Sequence, residues 1–355
     1  MAKILYLMGI NWYWIRQRPQ IVAEMLSKDY DITVAYYKEI FVKQSLRKDN
    51  DELENSIPVP AIPYRDKNLL AYHTQKMFFY KTMRSIQEYD IVWISHPLLY
   101  RYVPRSYRGK IVYDCMDNHE ALCADNKVQK KIHNVESALT QRADMILASS
   151  SGLAEKMRII GGGEKVLLVR NGFPLKEMHP PQPVSRKETK SYKIGYFGTI
   201  AEWFDFPLLL NSLDKFPELE YHLWGPVSGI QLPRHTRLKY GGVVEHRQLW
   251  ENVKDMDCLI MPFKVNDLIR DVDPVKLYEY ISMGKSIISV SYEEITRFHP
   301  YVYFYNTEKE YQNIVSGLIR KKIDCLYDTV EQKRFLSCNS WEERYQEIKA
   351  GLVNI

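Results

Sequence analysis

Short apolar runs alternate with amphipathic stretches along most of this sequence. In the first half the apolar runs occupy Lys3–Met8, Asp31–Tyr36, Ile91–Ser95, Lys110–Asp114, Met145–Ala148 and Val166–Arg170. The stretches between them predict helices at Pro19–Ser27, Leu69–Glu88, Val128–Arg142 and Gly152–Ile160. Continuous β-branched strands that alternate with amphipathic helices are typical of βαβ units, so we expect a buried parallel sheet.

The pattern breaks at residues 174–190, which carry four prolines, several charges and no periodicity. This composition predicts a linker. Beyond it, strands are predicted at Lys193–Gly198, Tyr221–Gly225, Arg237–Gly241, Cys258–Phe263, Ser286–Val290 and Val302–Tyr305, and helices at 205–216, 246–254 and 275–283. We therefore predict two α/β domains, residues 1–173 and 191–339, that face a cleft. A last helix follows over 340–355, and Ser340 with Glu343 would cap its start.

The composition is that of an ordinary folded protein, with 355 residues of which 45% are hydrophobic and 26% charged. No apolar run is long enough to span a bilayer, and the N-terminal residues lack a signal-peptide cleavage pattern. The five cysteines include no C-x-x-C pair, which favours reduced and mostly buried thiols. We therefore expect a cytoplasmic protein.

The net charge is +5, and the excess is concentrated in residues 64–110, with nine Lys or Arg, three Asp or Glu and ten aromatic residues. One interpretation is a solvated face above core aromatics. The other is a surface for an anionic partner, which would place the protein at the inner face of the membrane. No nucleic-acid-binding motif is present, so nucleic acid is not an expected partner.

Candidate ligand-binding residues were sought after strands, because ligands of open parallel sheets bind beyond the carboxyl ends of the strands. The loop after the first strand contains Trp12, Tyr13, Arg16 and Arg18. Aromatic rings stack on sugars, and arginines hold carboxylates or phosphates. The sequence therefore predicts a binding loop here, although one or two of the aromatics could simply cap the core.

The densest group of titratable residues follows the strand at 110–114 and comprises Asp114, Asp117, His119 and Glu120. A carboxylate whose pKa is raised by partial burial can take a proton from an attacking hydroxyl. Asp117 is the preferred base, because Asp114 lies closer to the strand and is expected to be buried. The alternative is that these carboxylates only cap a helix or hold the loop.

In the second half, Gly198 and Thr199 end a strand in a way that suits a phosphate, although a plain turn would look the same. Pro274 would open a helix, with Lys276 in its first turn and Glu279 one turn later. A cation at a helix N-terminus is unfavourable unless an anion docks there. Lys276 is therefore predicted to hold a diphosphate and Glu279 a ribose, against the alternative of a surface ion pair.

Asp271 and Asp273 form a D-x-D pair that binds metal in a different transferase fold. Here the pair precedes a proline and a helix rather than ending a strand in a one-domain sheet. We therefore expect no metal site and no cofactor.

Taken together, the chain resembles glycosyltransferases of the GT-B fold, in particular those of teichuronic-acid and capsular-polysaccharide synthesis. The resemblance rests on Arg18-Pro19-Gln20, Asp114-Cys115-Met116-Asp117, Val169-Arg170-Asn171-Gly172, Gly195-Tyr196-Phe197-Gly198-Thr199, Pro274-Val275-Lys276 with Glu279-Tyr280, and Ser340-Trp341-Glu342. Many members carry an acidic residue upstream of the ribose-binding glutamate, and Asp271 stands at that position.

The resemblance implies a metal-independent hexosyltransferase of surface polysaccharide biosynthesis, built from two Rossmann-like domains. The second domain would bind a nucleotide-sugar through Gly198, Thr199, Asp271, Pro274, Lys276 and Glu279. The first would bind a glycan or lipid-linked acceptor through Trp12, Tyr13, Arg16, Arg18 and His119, with Asp117 as the base. The last helix would cross back to the first domain. The alternatives are a non-hydrolysing sugar-nucleotide epimerase and a non-enzymatic binding module.

Overall fold

The computed structural model describes residues 1–39, 55–178 and 191–355, which divide into two compact units. The first unit contains Met1–Asn171 and Arg344–Ile355, and the second contains Gly172–Glu343. The first unit thus ends two residues before the predicted position 173, and the returning segment starts at Arg344 rather than 340. Residues 174–178 of the predicted linker belong to the second unit, and 179–190 lie outside the described residues.

The first unit is built on a parallel sheet of seven strands in the order β3-β2-β1-β4-β5-β6-β7. The strands are β1 (Lys3–Met8), β2 (Asp31–Glu39), β3 (Ser56–Ala61), β4 (Ile91–Ile94), β5 (Lys110–Cys115), β6 (Met145–Ala148) and β7 (Val166–Leu168). The helices are α1 (Arg18–Leu26), α2 (Leu69–Arg84), α3 (Asn126–Arg142) and α4 (Ser151–Met157). Ile4–Met8 and Ile91–Ile94 are buried throughout, as continuous apolar strands require.

Strand β3 is absent from the sequence-based prediction, because two of its six residues are prolines. It pairs in parallel with β2 and with no other strand, so it is an edge strand of the sheet. Proline lacks a backbone N–H, and an edge strand needs partners on one side alone. The position of β3 explains why the prolines are tolerated.

The second unit repeats the plan with six parallel strands in the order β10-β9-β8-β11-β12-β13. They are β8 (Tyr192–Phe197), β9 (Leu219–Trp224), β10 (Leu238–Tyr240), β11 (Cys258–Met261), β12 (Ser286–Val290) and β13 (Tyr303–Tyr305). The helices are α5 (Phe206–Lys215), α6 (His246–Val253), α7 (Asp267–Arg270), α8 (Val275–Ser282), α9 (Glu308–Ile319), α10 (Thr329–Cys338) and α11 (Trp341–Leu352). Most of α11 groups with the first unit.

Helix α11 is fastened to the first unit by its polar face as well as its apolar one. Ser340 Oγ accepts a hydrogen bond from the Glu343 amide at the start of the helix. Further along, the Tyr345 hydroxyl donates to Asp29 at 2.8 Å, and Lys349 pairs with the same carboxylate at 2.8 Å. Both bonds lower the pKa of Asp29. The last segment of the chain is therefore a structural part of the first unit.

In the described ranges, no helix combines the length and the apolar character that crossing a bilayer demands. All five cysteines are free thiols: Cys115 and Cys258 are buried, while Cys338 is exposed.

Candidate functional site

The candidate residues of the first unit gather where its sheet changes winding direction. Because β1 lies between β2 and β4, the connections from β1 and from β4 run to opposite sides of the sheet, and open parallel sheets bind ligands in a crevice at the carboxyl ends of the strands at such a point. Gly9 ends β1, His96 follows β4, and the loop 116–125 follows β5. A Cβ atom on Gly9 would lie 2.7 Å from Cβ of His96, so these loops are in contact.

Arg18 and Asp114 form a buried ion pair at the base of this crevice. The Arg18 Nε donates to Asp114 Oδ1 at 2.9 Å, and the two side chains are 4% and 0% exposed. Arg18 Nη1 also donates to the carbonyl of Val169 at 2.8 Å. The structure therefore gives Arg18 the role of a clamp between α1, β5 and the chain after β7. Its predicted contact with an acceptor stays a prediction, and the expected burial of Asp114 is confirmed.

Asp117 lies just beyond this ion pair and is only partly buried. Burial raises the pKa of Asp117 to about 6, with a smaller contribution from Asp114, while the Arg18 guanidinium acts in the opposite direction. A carboxylate in that range is mostly ionised at neutral pH and is still basic enough to accept a proton. The geometry thus fits the predicted base, whose role remains a prediction.

Two histidine rings are in contact beside this loop, tilted by 50° to each other. The rings of His96 and His119 have centroids 4.4 Å apart, and both side chains are largely buried. Burial lowers the pKa of His119 to about 4 and lowers the pKa of His96 well below its ordinary value. Among the described residues, no hydrogen bond reaches His119 Nε2. Both rings are therefore neutral at physiological pH, and His119 can still offer one nitrogen to a ligand.

The remaining predicted acceptor residues differ in their exposure. Trp12 is 1% exposed and belongs to the core, as the alternative interpretation allowed. Tyr13 is half-buried and meets Tyr36 edge-on, at 6.2 Å between ring centroids. Arg16 pairs with Glu24 on the surface. The structure does not bring all four loop residues to one point, and their roles in binding stay predictions.

In the second unit, β8 lies between β9 and β11, and this point again marks a change of winding direction. Gly198 follows β8 with φ +136°, a conformation that side chains disfavour. A Cβ atom there would lie 1.9 Å from Cε and 2.7 Å from Nζ of Lys276. Lys276 therefore lies across the space that the glycine leaves open. Thr199 is next in the chain, and its carbonyl accepts from the Tyr196 hydroxyl at 2.8 Å.

The Lys276 ammonium is the charged group beside Gly198. It stands in the first turn of α8, where burial lowers its pKa and the nearby Glu279 opposes that change. Glu279 is the opposite charge that acts on Lys276, so the alternative of a Lys276–Glu279 ion pair stays open. A partly buried cation at a helix N-terminus is a favourable place for an anion.

Pro274 differs slightly from the prediction. Helix α8 begins at Val275, so Pro274 is the residue before the first turn rather than its first member. Its φ of −80° and ψ of 111° are extended, and the Leu277 amide still donates to its carbonyl at 3.1 Å. The proline orients the chain that enters α8.

The two aspartates of the D-x-D pair have different surroundings. Asp273 is 4% exposed, pairs with Arg297 and accepts from the Tyr278 hydroxyl at 3.2 Å. Asp271 is half-buried at the end of α7. Arg297 was not identified from the sequence, because only the folded chain brings it to Asp273. Among the residues that the structure covers, no group of three or more His, Cys, Asp and Glu side chains could hold a metal ion. Metal independence stays a prediction.

No family model matches this chain. A curated relative is the "Putative teichuronic acid biosynthesis glycosyltransferase TuaH" of Bacillus subtilis (strain 168), 26% identical over 217 residues. The match covers 55% of this chain and 54% of the relative, so the chain spans about half the length of the curated relative it matches.

Solved structures match over the whole chain. Anabaena Alr3699/HepE in complex with UDP-glucose has a TM-score of 0.75 at 15% identity and covers 100% of both chains. The chain has the GT-B fold. This GT-B chain is also similar to sucrose-phosphate synthase from Thermosynechococcus elongatus, with a TM-score of 0.69, 12% identity and 98% of both chains covered. The lipopolysaccharide outer core galactosyltransferase WaaB has a TM-score of 0.67 at 14% identity, with 99% of both chains covered. The predicted resemblance and fold are confirmed.

Proposed function

We propose that this chain is a glycosyltransferase that moves a sugar from a nucleotide-sugar donor to a glycan or lipid-linked acceptor in surface polysaccharide biosynthesis. The observation that carries the proposal is the Lys276 ammonium held over Gly198 at the start of α8, where burial lowers its pKa. The name of the curated relative and the bound UDP-glucose of the Anabaena structure support it. No observation favours the epimerase alternative or a binding module.

On the donor side, the diphosphate would lie between Lys276 and the backbone at Gly198 and Thr199. Gly198 lets the Lys276 side chain pass close to the backbone, because any side chain at position 198 would meet it. The start of α8 adds unpaired amides and a positive dipole end. Glu279 would accept hydrogen bonds from the ribose hydroxyls, and Asp271 would contact the sugar.

The chemical step requires that negative charge on the leaving diphosphate be stabilised. Lys276 can do so, and its partial desolvation strengthens each electrostatic contact it makes. We propose that this contact and the amides of α8 replace a metal ion. The donor diphosphate would thus leave without a divalent cation.

On the acceptor side, Asp117 would take the proton of the attacking hydroxyl if the reaction inverts the anomeric configuration. Its pKa near 6 suits this role at neutral pH. If the reaction retains configuration, the donor phosphate would take the proton, and Asp117 or His119 would orient the acceptor. Proton NMR of the anomeric product distinguishes these outcomes.

We also propose a peripheral contact with anionic lipid on the cytoplasmic face, centred on α2. Leu70, Met77 and Tyr80 are 77%, 76% and 67% exposed and follow one another at helical spacing. Exposed cationic side chains stand among them: Lys76, Lys81 and Arg84. An apolar row flanked by cations is suited to the interface of an anionic bilayer.

The donor is tested by calorimetry and product analysis with UDP-, GDP-, dTDP- and ADP-sugars. Binding of one of them, followed by sugar transfer to a surface-polysaccharide fragment, is expected. Binding without transfer to any glycan or lipid-linked acceptor would favour the binding module, and isomerisation of free donor without acceptor would favour the epimerase.

The lipid contact is tested by sedimentation with phosphatidylglycerol vesicles. Binding should weaken as salt increases, and Lys76→Glu combined with Lys81→Glu should reduce it while nucleotide binding persists. Arg101 is unsuitable for this experiment, because its side chain is 13% exposed and pairs with Asp66. Absence of vesicle binding at low salt would favour the alternative interpretation, in which the exposed side of α2 only faces solvent.

A further inference from the structure

A pocket in the first unit lies between the segment before α2 and the loop before α3. Its volume is about 610 Å³, and its walls are residues 64–67 on one side and residues 122–125 with Val128 on the other. The second wall belongs to the same loop as Asp117 and His119, between β5 and α3. We propose that this pocket is the subsite for an uncharged sugar ring of the acceptor, with Tyr64 as its stacking platform. The proposal rests on the proposed function.

Tyr64 is the first support for a sugar. Its side chain is 73% exposed at the pocket wall, and its φ is +58°, in the left-handed region that favours glycine or asparagine. Among the described residues, the other non-glycine residue with positive φ is Lys321. Lys321 follows the end of α9, where that conformation is common. Tyr64 follows no helix, so a helix end does not explain its strained backbone.

Backbone hydrogen bonds fix the turn that carries Tyr64. The Tyr64 carbonyl accepts from the amides of Lys67 and Asn68, each at 2.9 Å, and the second of these residues caps α2. An aromatic ring presented on a fixed turn loses little freedom when a ligand covers it. Sugar rings offer an apolar C–H face to such a platform, while their hydroxyls need polar partners.

The polar groups of the pocket supply those partners. Lys67 Nζ lies 2.8 Å from Asp125 Oδ2, and both side chains remain partly exposed. One therefore keeps donors and the other acceptors for hydroxyl groups. Within the lining, Arg65 pairs with Asp66 and Lys67 with Asp125, and Arg101 beside the pocket also pairs with Asp66. A phosphate would have to displace one of these carboxylates from its cation, whereas hydroxyl groups can bond to the pairs as they stand, so the lining favours an uncharged polyhydroxyl ligand.

Side-chain bonds also fix the opposite wall of the pocket. Glu120 pairs with His133 at 3.3 Å and lies 3.8 Å from Lys156, while Gln129 Nε2 donates to the Cys123 carbonyl at 2.6 Å. These bonds fix the loop that carries both the pocket wall and Asp117. A sugar bound at Tyr64 would therefore be positioned by the same segment as the proposed base.

The test uses the full chain with Tyr64→Asn, which removes the ring and relieves the backbone. Tyr64→Phe retains the ring, and Lys321→Asn is the matched control, because it relieves a similar backbone at an exposed site in the other unit. Each protein is applied to an array of bacterial surface glycans and is then assayed kinetically against the best ligand.

Tyr64→Asn should fold at least as stably as the wild type, lose array binding and raise the acceptor KM roughly three- to tenfold, the usual value of an aromatic contact. Donor affinity should be unchanged in every variant, and Lys321→Asn should match the wild type in all measurements. Tyr64→Phe, which keeps the ring, should raise the acceptor KM less than Tyr64→Asn. An unchanged acceptor KM in an active Tyr64→Asn enzyme would overturn the subsite and leave the proposed function intact. Tyr64-dependent glycan binding without any sugar transfer would support the subsite and contradict the proposed function. A wild type that binds no glycan on the array would overturn the subsite.

Discussion

The two sheets share one plan but carry different charges at the carboxyl ends of their strands. In the first unit Arg18 is paired with Asp114, the histidines are neutral, and burial raises the pKa of Asp117 to about 6. In the second unit the Lys276 ammonium lies over Gly198, where burial lowers its pKa and Glu279 opposes that change. The same topology can therefore serve an acceptor that gives up a proton and a donor that carries negative charge.

The largest effect is expected when the titrating carboxylate is removed. Asp117→Asn should lower kcat by about 10²–10⁴-fold, the usual contribution of general base catalysis, with donor affinity unchanged. Stopped assays and calorimetry measure the two quantities. The variant should be at least as stable at pH 7.5, because burial disfavours the ionised form.

Glu155→Gln is the matched control, since its carboxylate is 65% exposed in the same unit. Wild-type turnover in Asp117→Asn would show that this loop does not carry the chemistry.

Removal of the cation tests the other half of the comparison. Lys276→Ala should weaken nucleotide-sugar binding by about 1.5–3 kcal/mol, the range for a charge-assisted contact. Isothermal calorimetry measures the change, and Lys309→Ala on the exposed face of α9 serves as control. Unchanged donor affinity in a folded Lys276→Ala protein would contradict the proposed contact between Lys276 and the donor diphosphate.

A smaller steric change sharpens the same point. Gly198→Ala places a methyl group 1.9 Å from Lys276 Cε at a positive φ, so both thermal stability and donor affinity should fall. Gly229→Ala is the matched control, because its φ is +71° and no heavy atom lies within 4 Å of the added Cβ. It should lower stability alone, by roughly 1–3 kcal/mol. Equal donor affinity in the two variants would contradict the proposed contact.

The pH dependence of turnover distinguishes the units further. Because the base must be ionised, kcat/KM should fall below pH about 6, the value to which burial raises the pKa of Asp117. The contribution of Asp117 to stability has the opposite sign. Its folded pKa exceeds the usual unfolded value of about 4, so its protonation stabilises the fold as pH falls between these values. A flat rate profile from pH 5 to about 8 would exclude an inverting role for Asp117.

The smallest effect is expected on removal of divalent metal. Turnover should be unchanged by EDTA. Asp273 is already bonded to Arg297 and Tyr278, and we propose that Lys276, rather than a metal, stabilises the leaving group. Loss of activity that Mn²⁺ or Mg²⁺ restores would return the D-x-D pair to consideration as a metal site.

Local pattern was enough to predict most strands, because the apolar runs are continuous and the prolines and glycines between them are informative. Strand β1 is predicted to the residue, and β12 likewise. Strand β3 was missed because its edge position, which tolerates two prolines, depends on the whole sheet. Parallel topology also places the candidate residues at the carboxyl ends of the strands in each sheet, and their roles stay predictions.

Partners distant in sequence could not be predicted. Arg18 has the residue type of an anion-binding group, yet its partner Asp114 is 96 positions away and becomes visible only in the fold. Trp12 likewise has the type of a sugar platform but is 1% exposed. Tyr64 lay inside the charged segment of the sequence and was not distinguished there, because its signal is a backbone angle rather than a residue pattern.

The bonds of Tyr345 and Lys349 to Asp29 have a consequence for synthesis on the ribosome. Domains usually fold in the order in which they emerge. Here the first unit cannot bury its last helix until residues 344–355 have been translated, after the whole of the second unit. The surface around Asp29 should therefore stay exposed in the nascent first unit until the second unit has been synthesised. Adding the peptide 344–355 in trans to a fragment of residues 1–171 should increase its resistance to proteolysis.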